Sequence, residues 1–218
     1  MGVLQETRNA FFDLDPENVE AHTNLACAFT KLGRKTEAFE ACQKAIELAP
    51  KDAGVYARLG GLFVLLGKTD KARATLKQAL MMDPHSAEAH NGIAWLLATC
   101  PDPKFRDPHQ ALAMARKAVE LAPTNPGYPN TLGVALYRTG DWNASIAALE
   151  KSMEMRAGGD SADWFFLAMA HWQLGNRDEA RRWYQRAAAW KRKDSLADDD
   201  AARIRTEAAE LLGVREGN

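Results

Sequence analysis

The chain has 218 residues, 46% of them hydrophobic and 26% charged, with a formal net charge of −1. So balanced a chain has no overall basic field to gather nucleic acid or anionic lipid. Its cysteines (Cys27, Cys42 and Cys100) are odd in number and lack paired spacing, which argues against a disulfide framework or a zinc knuckle. No run approaches the ~18 uninterrupted apolar residues of a spanning helix, and no basic segment followed by an apolar run opens the chain as a secretory leader. The expected setting is the cytoplasm, with reduced thiols, unless the chain is a fragment of a longer one.

Residues 1–18 read as half of something. LQETRNAFFDLDPEN ends as later segments do, with Leu14 and Pro16 standing like Leu48 and Pro50, and Phe11 and Phe12 like Ala45 and Ile46. Either this is an atypical N-terminal cap, or the chain starts inside a longer array. The stretch 19–52 then sets the pattern: Leu25, Ala26, Phe29, Gly33, Ala38, Ala45, Leu48 and Pro50. A shift of 34 residues lands on Leu59, Gly60, Phe63, Gly67, Ala72, Ala79, Met82 and Pro84 in 53–86. A fixed period of this size marks stacked repeats, each burying its apolar face against its neighbours. Gly33 and Gly67 suit a helix C-cap, Thr36 and Asp70 an N-cap, and Pro50 and Pro84 a helix end.

These residues resemble the tetratricopeptide repeat (TPR) family. The resemblance implies an all-α fold: a right-handed TPR solenoid of antiparallel helix pairs with a C-terminal capping helix. Its units fall at 19–52, 53–86, 87–125, 126–160 and 161–194, followed by a capping helix and tail at 195–218.

The third unit carries an insertion. Phe29 to Ala38 and Phe63 to Ala72 are nine apart, whereas Leu97 to Ala111 are fourteen apart, the excess lying in CPDPKFRDPH. Its prolines disfavour helix in the residues before them, and Asp107 with Pro108 makes a good N-cap and first helical position. In the fourth unit Pro126 and Pro129 should delay the helix to about Asn130. Ser145 and Ser152 replace alanines there, and Gly158 and Gly159 supply the break where proline is missing. The fifth keeps Trp164, Leu167, Ala168, Gly175, Ala180, Tyr184 and Ala187, with Asp160 or Ser161 as cap. Beyond it, Ala201, Ile204, Ala208 and Leu211 form one helical stripe. Arg203, Glu207 and Glu210 are expected on a solvated opposite face, as in a solubilising cap. From Ala94 on, AWLLATCPDPKFRDP, TLGVALYRTGDW and DWFFLAMAHWQLG also resemble TPR modules of large multidomain bacterial regulatory proteins, some with kinase domains.

No constellation supports catalysis, so no enzyme, cofactor or metal site is expected. His85 and His90 are five apart and miss the i, i+4 zinc spacing, while His22, His90 and His171 stand at packing positions. The basic run Arg181, Arg182, Arg186 and 191–193, interleaved with Trp183, Tyr184 and Trp190, reads as a solvated helix face rather than a nucleic-acid site.

In the TPR superhelix the first helix of each unit lines the concave surface. Carried over by position, the resemblance makes Asn91, Trp95, Asn130, Tyr137, Arg138, Phe165, Met169 and Trp172 the partner-binding set of units three to five. Aromatics beside hydrogen-bonding groups are the usual makings of an interface hot spot, and Asn91 and Asn130 stand at equivalent positions suited to a peptide backbone. The alternative is that Trp95, Phe165 and Trp172 simply pack on the next unit. Chaperone-binding TPR domains use a Lys, Arg and Asn clamp, and Thr23, Cys27 and Glu88 occupy its places here, which argues against that client. The expected function is a non-enzymatic scaffold for a protein or peptide. The alternatives are a module self-associating through residues 1–18, or the interaction part of a larger regulatory protein.

Overall fold

The structure, a computed structural model, describes residues 17–190 and 199–214. Their order is α1 (Val19–Lys31), α2 (Lys35–Leu48), α3 (Ala53–Leu65), α4 (Thr69–Met82) and α5 (Ala87–Thr99), then a 3₁₀ turn at Pro103–Phe105. α6 (Pro108–Leu121), α7 (Tyr128–Arg138), α8 (Trp142–Met155), α9 (Ser161–Gln173), α10 (Arg177–Ala189) and α11 (Asp199–Leu212) complete it. Among the described residues there is no strand. α1 to α10 form five antiparallel pairs, each packed on the next. Residues 1–16, which hold most of the expected half repeat, lie outside the described residues.

One turn makes most of these pairs. Gly33, Gly67, Gly140 and Gly175 have φ between 68° and 85°, where only glycine sits without steric cost. The next N–H then reaches back five residues, from Arg34 to the Phe29 carbonyl and from Lys68 to that of Phe63, both 2.9 Å. This double-bonded helix end satisfies carbonyls that would otherwise be orphaned. It leaves so short a link that α2 and α4 start at Lys35 and Thr69, with Arg34 and Lys68 at the cap positions and no side-chain cap bond. Thr36 and Asp70 are therefore inside the first turn and do not cap, contrary to expectation. Glu37 pairs with Arg34 instead, and acidic Glu37 and Asp70 meet the positive helix ends.

Side-chain caps serve most of the other starts. Asn18, Asp52, Ser86, Asp107 and Asp141 each accept the backbone N–H three residues on, in the helix they precede. The insertion folds back on itself: Asp107 N–H donates to the Leu97 carbonyl at 3.1 Å, and Arg106 Nε to the Cys100 carbonyl at 2.6 Å. α7 begins at Tyr128, earlier than the prolines suggested. Pro129 falls in the first turn, where an N–H has no intrahelical acceptor to lose. The two serines that replace alanines are buried and bonded, Ser145 Oγ to the Gly133 carbonyl at 2.7 Å and Ser152 Oγ to that of Pro126 at 3.1 Å.

The packing divides along the array. One apolar cluster joins α1 to α4 with Leu96 of α5. The largest runs from Ala94 and Ala98 of α5 through Val134, Leu149, Trp164–Met169 and Tyr184 to Ile204, Ala208, Ala209 and Leu212 of α11. Among the described residues no helix is long and apolar enough to cross a membrane.

Candidate functional site

The expected binding face falls on α5, α7 and α9, the first helices of units three to five. The eight residues expected to form a binding face take different roles in it. Asn91 and Trp95 lie one turn apart on α5, both partly buried, and Asn91 Oδ1 and Trp95 Nε1 are buried without a hydrogen-bond partner among the described residues. Buried polar atoms in that condition are uncommon. Tyr137 meets Phe166 edge-on at 5.5 Å between ring centres. Burial raises its pKa above the usual tyrosine value, against the pull of the Gln173 side chain. Trp172 is half-buried beneath the Arg177 guanidinium, 3.6 Å from the ring centre.

Asn130 does not share the setting of Asn91. It is buried, and its Nδ2 donates to Asp163 Oδ1 at 2.6 Å. Asp163 is wholly buried at the start of α9, and its other oxygen accepts from Arg156 and, at 2.8 Å, from the Asp160 N–H. Asp160 caps Asp163 in return, a capping box that also joins three helices. Burial, reinforced by the charge of Asp160, pushes the Asp163 carboxyl up to about 6, against the pull of Asn130, the Asp160 amide and Arg156. Phe165 and Met169 are buried on the same helix, Phe165 edge-on to Tyr184 at 5.6 Å. In this structure those two offer no surface for a ligand to touch.

What closes over them is α11. It packs chiefly on α9, with Ile204, Ala208, Ala209 and Leu212 buried in the α5–α10 cluster. Arg203 and Glu207, expected on a solvated face, point inward instead. Glu207 forms a two-pronged ion pair with Arg138 at the end of α7, the Nη2–Oε2 contact being 2.7 Å. Arg138 Nε in turn donates to the Ala98 carbonyl of α5 at 3.0 Å. The side chains are 12% and 30% exposed. Burial opposes the charge on Glu207, but the bond to Arg138 and the charges of Arg138, Arg106 and Arg203 outweigh it and hold the carboxyl below the ordinary glutamate value. Arg203 borders a pocket of about 190 Å³ with Val64, Leu65, Leu96, Cys100 and Pro101. α11 therefore packs chiefly on α9, with Glu207 reaching the end of α7 and Arg203 the pocket beside α3 and α5, rather than holding these charges in solvent.

The pattern of the sequence does not announce the buried, bonded roles that Asp163, Arg156 and Glu207 take. For Asp163 there was a signal, since Asp160 and Asp163 have capping-box spacing before an apolar helix. For Glu207 there was none, because a glutamate flanking an apolar stripe looks solvated until a partner helix is placed.

Elsewhere the chemistry is quiet. His22 and His90 are buried, with His90 Nδ1 2.8 Å from the Ser86 carbonyl oxygen. His171 is partly buried, 3.4 Å from the Asn176 amide. Among the described residues no group of His, Cys, Asp and Glu is placed to hold a metal ion. Cys42 is buried near Cys27, and burial first, then that neighbour, pushes its thiol up to about 12, the reverse of activation. On α10 the basic residues disperse: Arg182 pairs with Glu179 at 2.6 Å, Arg181 lies 3.9 Å from Asp178, and Arg186 stacks over Trp164 and Trp183.

Two family models, both described as tetratricopeptide repeat, match residues 29–96 and 127–193. The segment between them contains the insertion. A TPR repeat-containing protein of Pseudomonas aeruginosa is 33% identical over 116 residues, covering 53% of this chain and 44% of that one. Hsp70-Hsp90 organizing protein 3 of Arabidopsis thaliana is 34% identical over 79 residues, covering 36% and 14%. The chain thus spans less than half the length of these relatives. The crystal structure of a thermophilic TPR protein of Thermus thermophilus superposes with a TM-score of 0.65 at 18% identity, over 89% of this chain and 99% of that one. That likeness concerns the fold alone.

Proposed function

The chain belongs to the tetratricopeptide-repeat family, and from that premise we propose that it is a non-enzymatic scaffold taking a protein or peptide segment in the concave groove of α5, α7 and α9. One observation carries the proposal: Asn91 and Trp95, one turn apart and partly buried, hold an acceptor and a donor with no hydrogen-bond partner among the described residues. An unmade bond at a buried polar atom costs roughly 1–3 kcal/mol, and a ligand supplying an N–H and a carbonyl recovers it once these partly buried side chains turn outward to meet it. Trp95, Tyr137 and Trp172 provide the aromatic surround that such contacts need for water exclusion.

The similarity to Hsp70-Hsp90 organizing proteins does not extend this to a chaperone tail. Thr23, at one clamp place, is buried and its hydroxyl donates to the Val19 carbonyl at 2.8 Å. Nor is nucleic acid favoured, since Arg181 and Arg182 face acids of their own helix.

The test is affinity capture of proteins from the source cells by the chain and by a triple variant, Trp95→Ala, Tyr137→Ala and Trp172→Ala. Capture should be lost while the helical circular dichroism persists. Unchanged capture by the folded variant overturns the assignment.

A further inference from the structure

The geometry points to a second interaction surface on the α9–α10 pair, where Arg186, framed by tryptophans, takes a carboxylate of an acidic protein segment with an apolar side chain beside it. Four side chains make the surface: Trp164 at the start of α9, Trp183 and Arg186 on α10, and Trp190 at its end. None of them belongs to the set assigned to the groove. Trp183, Arg186 and Trp190 follow one another at intervals of three and four residues, which puts them on one side of the helix. The Arg186 guanidinium stands over two indoles, 4.6 Å from the ring centre of Trp164 and 5.3 Å from that of Trp183. Trp190 meets Trp164 edge-on at 5.6 Å. Trp164 is buried and Trp183 partly buried, whereas Arg186 is exposed and Trp190 is 37% exposed. The cluster therefore opens to solvent at a cation and an aromatic ring.

What this surface lacks is an acceptor. A guanidinium and an indole are donors only. Trp164 Nε1 is buried with no hydrogen-bond partner among the described residues. Arg181 and Arg182 are answered by Asp178 and Glu179, but both of those acids lie in the first turn of α10. Residues 183–190, WYQRAAAW, hold Arg186 as their one charge, and among the described residues its contacts are with the two rings. The C-terminal end of a helix favours a cation, which accounts for the charge at this place and leaves its hydrogen bonds unmade. Stacking engages the flat face of a guanidinium and leaves the N–H edge unspent.

That edge matches a carboxylate, which accepts two parallel N–H bonds from an arginine fork. The rings hold the fork in place before a ligand arrives, so less ordering is lost on binding. Tryptophan and arginine are also the side chains that most often dominate a protein interface. The number of cations chooses among anions. A nucleic-acid strand or an anionic bilayer is held by a row of basic groups, and here Arg181 and Arg182 are turned to acids of their own helix. One unmatched cation beside exposed indole suits one Asp or Glu flanked by an apolar residue.

The experiment titrates the isotope-labelled full chain with the capped peptide Ac-SFDLS-NH2 and with its amide twin, Ac-SFNLS-NH2, following the indole N–H and arginine Nε–H signals by NMR. The Arg186 signal and those of Trp164, Trp183 and Trp190 should move with the acidic peptide. It should bind at least about tenfold tighter than the twin, the least that a charge-assisted hydrogen bond contributes. Arg186→Gln should remove that preference, and Arg186→Lys, which keeps the charge without the fork, should retain only part of it. The Trp95, Tyr137 and Trp172 triple variant should bind the acidic peptide as the unmodified chain does, so failure of the groove assignment and failure of this one are read separately.

Three results overturn the inference. Equal affinity for the two peptides, or signals that stay in place, marks Arg186 as a cover for the indoles and nothing more. A preference that survives in Arg186→Gln places the carboxylate elsewhere. Movement of the same signals by a short oligothymidine, where the acidic peptide causes none, assigns the surface to nucleic acid. Should an Arg186 variant fail to fold, the comparison of the two peptides on the unmodified chain decides alone.

Discussion

Replacing Asp163 by alanine tests whether the last two helix pairs are held by their buried carboxylate. The side chain is fully buried and accepts from Asn130 Nδ2, the Asp160 N–H and Arg156. Removing one partner of a buried ion pair costs roughly 3–5 kcal/mol, because the remaining charge is left uncompensated. Arg156 is 24% exposed and keeps Asp160 at 2.7 Å, so its share is smaller. Asn130 has no such relief, and its orphaned donor costs about 1–3 kcal/mol. The expected loss is about 3 kcal/mol, read from urea unfolding followed by the fluorescence of the adjacent Trp164. A loss under about 1 kcal/mol would refute the reasoning, since it would mean that the network is solvated or easily replaced. The pH dependence supplies a second reading. With its folded pKa raised to about 6, above an unfolded value near 3.9, Asp163 binds its proton more tightly in the folded chain. Its contribution is therefore complete below pH ~4 and falls as pH rises from about 4 to 6. Asp163→Asn should flatten that part of the stability profile, and an identical slope in the variant would contradict the assignment.

Three further outcomes follow from the packing. Gly133→Ala places a Cβ 2.6 Å from Leu149 Cγ and 3.2 Å from the Ser145 carbonyl oxygen, and thermal unfolding should show a loss of about 1–3 kcal/mol from overpacking. Pairing it with Leu149→Ala should be markedly less than additive, since the two atoms compete for one space. Asp107→Ala removes the bond to the Gln110 N–H at 2.9 Å and should cost about 1 kcal/mol of stability by chemical denaturation. Cys42, buried and with its thiol pushed up to about 12, should resist a disulfide reagent at pH 8 until the chain opens, whereas partly buried Cys27 reacts in the folded protein. Equal rates for the two thiols would refute that difference.

Much of the architecture was legible in the chain because its causes are local. The left-handed turn at Gly33, Gly67 and Gly175 depends on a glycine and the residues next to it, and the cap at Asp107 depends on a side chain reaching three residues onward. Alanines at a fixed spacing likewise announce helices in close approach. The misplaced caps at Thr36 and Asp70, and the earlier start of α7, lie at boundaries, where several first-turn positions tolerate the same residue types. The concave set was less legible. Asn91 and Asn130 occupy matching positions in consecutive units, yet Asn130 is consumed by Asp163 while Asn91 Oδ1 has no partner among the described residues. What separates them is a carboxylate 33 residues further on, brought near only by stacking.

The last helix marks the same division. Its stripe of Ala201, Ile204, Ala208 and Leu211 is enough to demand that an apolar face be covered, because exposed apolar surface is costly whatever lies opposite. The period alone cannot say where that face goes, since a cap stacked on the final pair and a strap across the groove satisfy the same pattern. The choice rests on contacts between distant residues: Glu207 with Arg138, Ile204 and Leu212 with the Trp164–Met169 run, and Arg203 beside Leu65. Helices, turns and period belonged to the sequence because short-range sterics and capping decide them. The contents of the groove belonged to the tertiary structure, because curvature of the stack determines which side chains meet.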